Sequence, residues 1–152
     1  MDTPARRRFI SVLAGMAVAP LLPARAARAQ SDPLLPLIQK ITEGAPVRAG
    51  RVTIDTPRLA DNGHSVPLKV SVESPMTAND HVRSVTLLSE RNPRPVMASF
   101  HLGAHAGRAE VVTRVRLNGT QRVLALAQLS DGSYWSGSAE VEVTESACLD
   151  AT

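Results

Sequence analysis

Val66-Pro67-Leu68-Lys69-Val70-Ser71-Val72 decides how the middle of this 152-residue chain folds. Its apolar residues recur at every second position, which places them on one face of an extended strand. The turn sequences Asp61-Asn62-Gly63 and Glu73-Ser74-Pro75 bound this run on its two sides. A β-strand with one face buried in a core is therefore predicted here.

The same periodicity of two recurs on both sides of this stretch, at residues 52–54, 82–87, 109–117 and 139–143. Residues 121–129 are almost wholly apolar after Arg122, which is typical of a central strand covered on both faces. Turn sequences separate the later runs, and Asn118-Gly119 among them is interpreted as a hairpin turn. Six or seven short strands spaced in this way predict an all-β fold, an immunoglobulin-like antiparallel β-sandwich.

A short N-terminal helix is predicted before the strands. Asp32 is suited to cap it and Pro33 to occupy its first turn, while Gly44 is suited to end it. The apolar residues between these signals follow helical spacing, at Leu35, Ile38 and Ile41. The fold prediction is thus a β-sandwich with one short helix at its start.

Residues 1–29 have the layout of a bacterial export signal. Arg6, Arg7 and Arg8 precede an apolar stretch from Phe9, and small residues flank a cleavage site after Ala29. The apolar stretch is too short and too interrupted by proline to persist as a membrane-spanning helix. Two arginines followed by one residue, Phe and Ile fit the twin-arginine pattern. We therefore expect a periplasmic protein, exported by the twin-arginine route and without a membrane segment after cleavage.

Cleavage of the signal changes the charge of the protein. Of the 17 lysines and arginines five lie in residues 1–29, as does one of the 14 acidic residues, which leaves 12 basic and 13 acidic residues. A nearly neutral mature chain gives no reason to expect binding to nucleic acid. Its length suits one domain. The predicted organisation is a signal at 1–29, a sandwich at 30–144 and a flexible C-terminal arm at 145–152.

Cys148 is the only cysteine, and it lies four residues from the last residue of the sequence. A lone cysteine in an exported protein indicates an intermolecular bond, a reactive thiol or a residue without a role. The unperturbed pKa of a thiol is about 8.5, and the neighbouring Glu145 and Asp150 should raise rather than lower it. Cys148 is therefore not activated by its own sequence, which fits a carrier better than an enzyme.

Catalytic and metal-binding alternatives have little support in the sequence. The P-loop, the G-x-S-x-G elbow, C-x-x-C and H-E-x-x-H are all absent. His64, His81, His101 and His105 could be combined with Met76 and Met97 into a copper site, although loop histidines and core methionines explain them as well. Tyr134 and Trp135 are interpreted as packing residues, with a partner-binding face as the alternative. No metal or other cofactor is predicted, and no catalytic residue.

Several segments of the chain form a distinctive series: DNGHSVP from Asp61, VSVESPMT from Val70, ASFH from Ala98, GRAEV from Gly107, TRVRL from Thr113, SDGSYW from Ser130 and EVEVT from Glu140. With these segments in this order, the sequence resembles the SoxY family, the sulfur-carrier subunits of the periplasmic thiosulfate-oxidising (Sox) system. The resemblance covers nearly the whole chain, from the twin-arginine signal to the cysteine.

The resemblance implies an immunoglobulin-like sandwich that pairs with a SoxZ-like subunit as a heterodimer. It further implies that Cys148 is the covalent attachment site for sulfur and that the protein itself catalyses nothing. In the family a c-type cytochrome enzyme loads thiosulfate on the cysteine through a sulfur–sulfur bond. A manganese-dependent hydrolase then releases sulfate. Both enzymes are expected to be transient partners.

The arm departs from the family pattern. The family carries Gly-Gly-Cys-Gly-Gly, whereas this chain has Ser146-Ala147-Cys148-Leu149-Asp150 followed by two more residues. The additional side chains stiffen and widen the arm. A carrier of thiosulfate-derived sulfur is the leading interpretation, and the alternative is a SoxY-like binding or scaffold module that has lost carrier activity.

Overall fold

The computed structural model describes residues 32–146, which contain one α-helix, nine strands and one 3-10 turn. The helix is α1 (Leu35–Ile41) and the 3-10 turn is Ala104–Ala106. The strands, in chain order, are β1 (Val47–Ala49), β2 (Val52–Asp55), β3 (Leu59–Asn62), β4 (Val66–Val72), β5 (Val82–Ser89), β6 (Val96–His101), β7 (Glu110–Val115), β8 (Gln121–Leu129) and β9 (Tyr134–Glu145).

The strands form two sheets, and the predicted β-sandwich is confirmed. The larger sheet has the order β1-β9-β8-β5-β6, with β3 also paired to β9, and the smaller sheet has the order β2-β4-β7. The pairs among β4 to β9 are antiparallel. The short strands β1 and β3 pair with β9 in parallel, which the sequence pattern did not predict.

The core lies between the sheets and follows from the alternation in the sequence. The four apolar residues of β4 are at most 6% exposed, at Val66, Leu68, Val70 and Val72. They face inward-pointing residues of the larger sheet such as Leu87, Val123 and Val141. Strand β8 is covered on both faces, as predicted, because α1 packs on the outer side of the larger sheet. That second apolar layer joins Leu34, Ile38, Leu88, Leu124 and Leu126.

Helix α1 begins later than the sequence predicted. Its N-cap is Leu34, and the proline of its first turn is Pro36 rather than Pro33. The Asp32 carboxylate instead accepts the N–H of Leu34, two residues along, and pairs with Arg122 of β8. Gly44 ends the helix as predicted, with φ +81° and its N–H bonded to the carbonyl of Gln39.

The hairpin interpretation of Asn118-Gly119 is wrong. Strand β7 belongs to the smaller sheet and β8 to the larger, so this segment crosses between the sheets. Asp131-Gly132 is a hairpin turn, since β8 and β9 pair directly on either side of it. A pattern of turn residues predicts where a chain reverses, but it does not tell which strand the next one pairs with.

The two sheets come into close backbone contact where β2 passes β9. A Cβ atom added to Gly137 would lie 2.2 Å from the carbonyl oxygen of Val52, much closer than van der Waals contact. Only glycine fits at this point of β9. Strand β9 pairs with β1, β3 and β8 and also contacts β2. It is therefore supported along its length up to the C-terminal end of the domain. Within residues 32–146 no helix is long and apolar enough to cross a membrane.

Candidate functional site

The C-terminal end of β9 is the part of the structure that leads to Cys148. Glu145 is the last residue of β9 and pairs with Asn62 of β3. Its carbonyl oxygen accepts the N–H of Gly63 at 2.8 Å, and the carbonyl of Gly63 accepts the N–H of Leu117 at 2.9 Å. Glu145, which the sequence pattern placed in the arm, is therefore part of the sheet.

Side chains strengthen the same end of the strand. The Thr144 hydroxyl donates to the carbonyl of Asp61 at 2.7 Å. On the other side the Thr120 hydroxyl oxygen accepts the N–H of Val143 at 2.9 Å. The strand is thus bonded on both sides up to its final residues, and this makes its end a fixed point.

Ser146 continues the anchoring beyond the strand. Its hydroxyl donates to the side-chain oxygen of Asn118 at 2.6 Å. The backbone N–H of Asn118 in turn donates to the side-chain oxygen of Asn92, at 2.9 Å. The amide of Asn92 donates to the carbonyl of Arg116 at 2.8 Å. A chain of hydrogen bonds therefore links Ser146 to two loops of the domain; we call these residues the arm base.

A buried glutamine supports the arm base from below. Gln121 is 3% exposed, and its side-chain oxygen accepts from the Ser89 hydroxyl and from the N–H of Arg91. Its amide nitrogen donates to the same Asn92 oxygen at 3.1 Å. Both functional ends of Gln121 are thus satisfied, as a buried amide requires. The sequence pattern did not single out Gln121, although a lone polar side chain at the start of an apolar strand indicates such a network.

The covalent attachment residue predicted from the sequence, Cys148, lies outside the described residues, as do residues 147–152 of the predicted arm and the signal at 1–29. Ser146, the last described residue, stands two positions before Cys148 in the sequence. The arm base is therefore the described part of the protein that is nearest in sequence to the predicted attachment residue.

The copper-site alternative finds no support in the described residues. Met76 is 6% exposed and its sulfur accepts the N–H of Val82, while His81 bonds through its ring to the carbonyl of Thr77. His101 ends β6 and His105 lies in the 3-10 turn, both exposed. Among residues 32–146 no group of three or more His, Cys, Asp or Glu side chains is placed to hold a metal ion.

The packing interpretation of Trp135 and Tyr134 is confirmed. Both are half-buried against the two apolar layers. The Trp135 ring also has the guanidinium carbons of Arg51 and Arg48 at 4.9 and 5.6 Å from its centroid, distances that favour cation–π attraction. Hydrogen bonds from Ser133, together with these two arginines, hold the pKa of the nearby Asp131 below its usual value. This group lies at the opposite end of β9 from the arm base.

Comparison with solved structures supports the β-sandwich fold and finds similarity to a sulfur carrier protein. The sulfur carrier protein SoxY from Chlorobium limicola f thiosulfatophilum matches with a TM-score of 0.62 and 25% sequence identity, over 73% of this chain and 96% of that one. A superoxide reductase (neelaredoxin) from Ignicoccus hospitalis matches at 0.55 and 17%, over 62% and 80% of the two chains. The superoxide reductase from Nanoarchaeum equitans gives 0.54 and 14%, over 63% and 100%. At such low identity the two reductases share the fold alone.

Sequence comparison completes the assignment. No curated protein matches the chain significantly. The family described as sulfur oxidation protein SoxY matches residues 38–148, from the middle of α1 to the cysteine. Because this match covers well over half of the sequence, the chain belongs to the SoxY family.

Proposed function

We propose that this protein is a periplasmic sulfur carrier that holds thiosulfate-derived sulfur covalently on Cys148 and presents it to sulfur-oxidising enzymes. The observation that carries the proposal is the extent of the family match, which runs to residue 148 and so includes the cysteine. The structural similarity to a sulfur carrier protein SoxY supports the same role. The protein catalyses no step itself, and it requires no cofactor of its own.

The geometry of the arm base supports a carrier. An attached group must reach the interior of other enzymes while the carrier body stays outside. The hydrogen bonds of Glu145 and Ser146 keep the chain fixed up to two residues before the thiol. An enzyme that binds this end of the sandwich therefore meets a hydrogen-bonded surface that ends two residues before the thiol in the sequence.

The chemistry of loading must come from a partner. Joining the Cys148 thiolate to the outer sulfur of thiosulfate forms a sulfur–sulfur bond and releases two electrons. A c-type cytochrome enzyme accepts these electrons and supplies the activating field that the arm lacks. Hydrolysis of the resulting thiosulfonate then breaks the bond between the two cargo sulfurs, consumes one water and releases sulfate and two protons. A persulfide remains on Cys148 for oxidation by other enzymes.

We propose a heterodimer with a SoxZ-like subunit, export of the folded protein by the twin-arginine route, and a signal that ends at Ala29. The arginines at positions 6–8 and the Phe-Ile pair that follows support the route. A partner subunit without its own signal would be carried across with the folded protein.

A second candidate function is supported by one feature of the arm. Ala147, Leu149 and Asp150 stand where the family has glycine, and their side chains widen the segment that must enter an enzyme. On this alternative the protein is a SoxY-like binding module that keeps its partner but carries no sulfur.

Replacement of Cys148 by serine separates the two functions. The variant and the parent protein are each returned to cells of the source organism that lack the chromosomal copy, and thiosulfate consumption is measured. A carrier predicts loss of consumption in Cys148→Ser with normal recovery of the partner subunit. Consumption at the parental rate would contradict the carrier and establish the binding module.

A further inference from the structure

The two sheets of the sandwich end next to each other at β6 and β7. Strand β6 is the last strand of the larger sheet and β7 the last of the smaller one, and among residues 32–146 no strand pairs with the outer edge of either. The 3-10 turn Ala104–Ala106 connects them at one end. A groove of about 380 Å³ lies at the other end, and we call it the β6–β7 seam; its walls include Arg94, Val96, Met97, Arg114, Val115 and Arg116.

The floor of the seam is apolar and incompletely covered. Met97 and Ala98 pack against the main core but remain only half-buried, and Val96 is 41% exposed. An exposed edge strand with apolar side chains is a template for pairing with another chain, and natural proteins usually block such edges. In β6 neither a proline nor a charged residue does so between Val96 and Phe100.

The rim of the seam is basic. Arg94, Arg114 and Arg116 line it, and no carboxylate does. The ion pairs of residues 32–146 join Lys69 to Glu110 and Arg122 to Asp32 and Glu90, so none of them neutralises the rim. Arg114 donates to the hydroxyl and carbonyl of Ser65, which are neutral acceptors. Three guanidinium groups around one groove attract a negatively charged occupant.

We propose that the β6–β7 seam binds an extended acidic segment of a partner protein by strand addition. The unpaired backbone edges of β6 and β7 supply hydrogen bonds to a strand, and this favours a polypeptide over other polyanions. In an added strand alternate side chains point to opposite faces. One set can then cover Val96 and Met97 while carboxylates of the other set meet the arginines of the rim.

The test uses defined peptides and does not depend on Cys148. The full mature chain carrying Cys148→Ser is labelled with ¹⁵N and titrated with an alternating Glu-Val octapeptide, with the matching Lys-Val octapeptide as the control. We expect shift changes confined to β6, β7 and the loop at Arg94, only for the acidic peptide, weakening as salt is raised. Replacing Arg116 by glutamate should weaken binding at least tenfold. Arg58→Glu, an exposed arginine on the opposite side, should leave it unchanged.

Several outcomes would overturn the proposal. Equal binding of the two peptides, shift changes on another surface, no binding at millimolar peptide, or equal effects of Arg116→Glu and Arg58→Glu would each do so. If sedimentation shows that the protein forms a dimer through the seam and the acidic peptide does not displace it, the seam belongs to a second copy of this chain. Because the cysteine is absent throughout, none of these results bears on sulfur loading.

Discussion

The hydroxyl of Ser146 and the side-chain oxygen of Asn118 are joined by a 2.6 Å hydrogen bond two residues before Cys148. Asn118 is itself held by Asn92, and Asn92 by the buried Gln121. Two loops and the first residue of β8 therefore fix one end of β9. This arrangement keeps the body of the protein ordered up to the base of the arm, and it makes the arm base a determinant of where the cysteine can be.

Replacement of Asn118 by alanine should loosen the arm base. The lost acceptor and donor cost about 1 kcal/mol of the free energy of unfolding, and amide hydrogen exchange at Gly63 should accelerate because its acceptor, Glu145, is less restrained. The control is Asn79→Ala, since Asn79 is exposed. Exchange at Gly63 that is equally fast in both variants would show that Asn118 does not restrain the strand end.

Replacement of Gly137 by alanine should destabilise the whole domain. The added Cβ atom would collide with the backbone of Val52, so the two sheets must separate locally. We expect the free energy of unfolding to fall by about 1–3 kcal/mol, the usual cost of overpacking a core. Gly103→Ala is the matched control. Its added Cβ meets no atom within 4 Å and its φ is −121°, so the same change should be neutral or slightly stabilising. Urea denaturation distinguishes the two, and equal midpoints would refute the close approach.

Replacement of Gln121 by alanine should be more harmful than its position in a β-strand suggests. The change leaves the Ser89 hydroxyl and the N–H of Arg91 without their acceptor in a buried site, at a cost of roughly 2–3 kcal/mol. Gln128→Ala, on the same strand but half-buried, should cost less than about 1 kcal/mol. Thermal denaturation of the two variants tests this. Similar melting temperatures would mean that the network under the arm base contributes little.

The attachment of α1 should depend on pH through Asp32. Partial burial alone would raise the pKa of this carboxyl, but the hydrogen bonds from Arg122 and Leu34 and the charge of Arg122 outweigh it and lower the pKa. A lowered pKa in the folded state stabilises the protein above the usual pKa of about 3.9, and this stabilisation is lost as the pH falls through the folded value. Because the pair is partly exposed, the effect is about 0.5–1 kcal/mol.

Asp32→Asn measures this effect because asparagine keeps an oxygen for the Leu34 N–H and removes only the charge. We expect the variant to be less stable than the parent at pH 7 and equally stable near pH 2. A difference in the free energy of unfolding that is the same at both pH values would show that the charge of Asp32 does not contribute.

The sequence predicted the core strands because their burial follows directly from period-two patterning. Strands β4 and β8 are examples, the first with one buried face and the second with two. It did not predict β1 and β3, since three or four residues at the edge of β9 carry little periodicity and gain their pairing only from the folded sheet. The turn residues Asn118-Gly119 also did not reveal that the chain crosses between the sheets there, because the pairing of distant strands is decided by the tertiary fold.

The sequence predicted the attachment residue of the candidate site but not the hydrogen bonds that support it. Cys148 was singled out by its uniqueness and by family resemblance, and it remains a prediction. The sequence did not predict the arm base or its support by Gln121, because Asn92 lies 26 residues before Asn118 and no sequence pattern links these side chains. Their hydrogen bonds form only when the fold brings the two loops and the start of β8 together.

The carrier function is tested most directly by the intact mass of the protein. The protein and its Cys148→Ser variant are purified without reductant from thiosulfate-fed cells of the source organism and measured by mass spectrometry. A carrier predicts adducts with the masses of thiosulfonate or additional sulfur atoms, removed by reductant and absent from the variant. An unmodified Cys148 thiol under these conditions would contradict sulfur carriage and leave the binding module as the function of this protein.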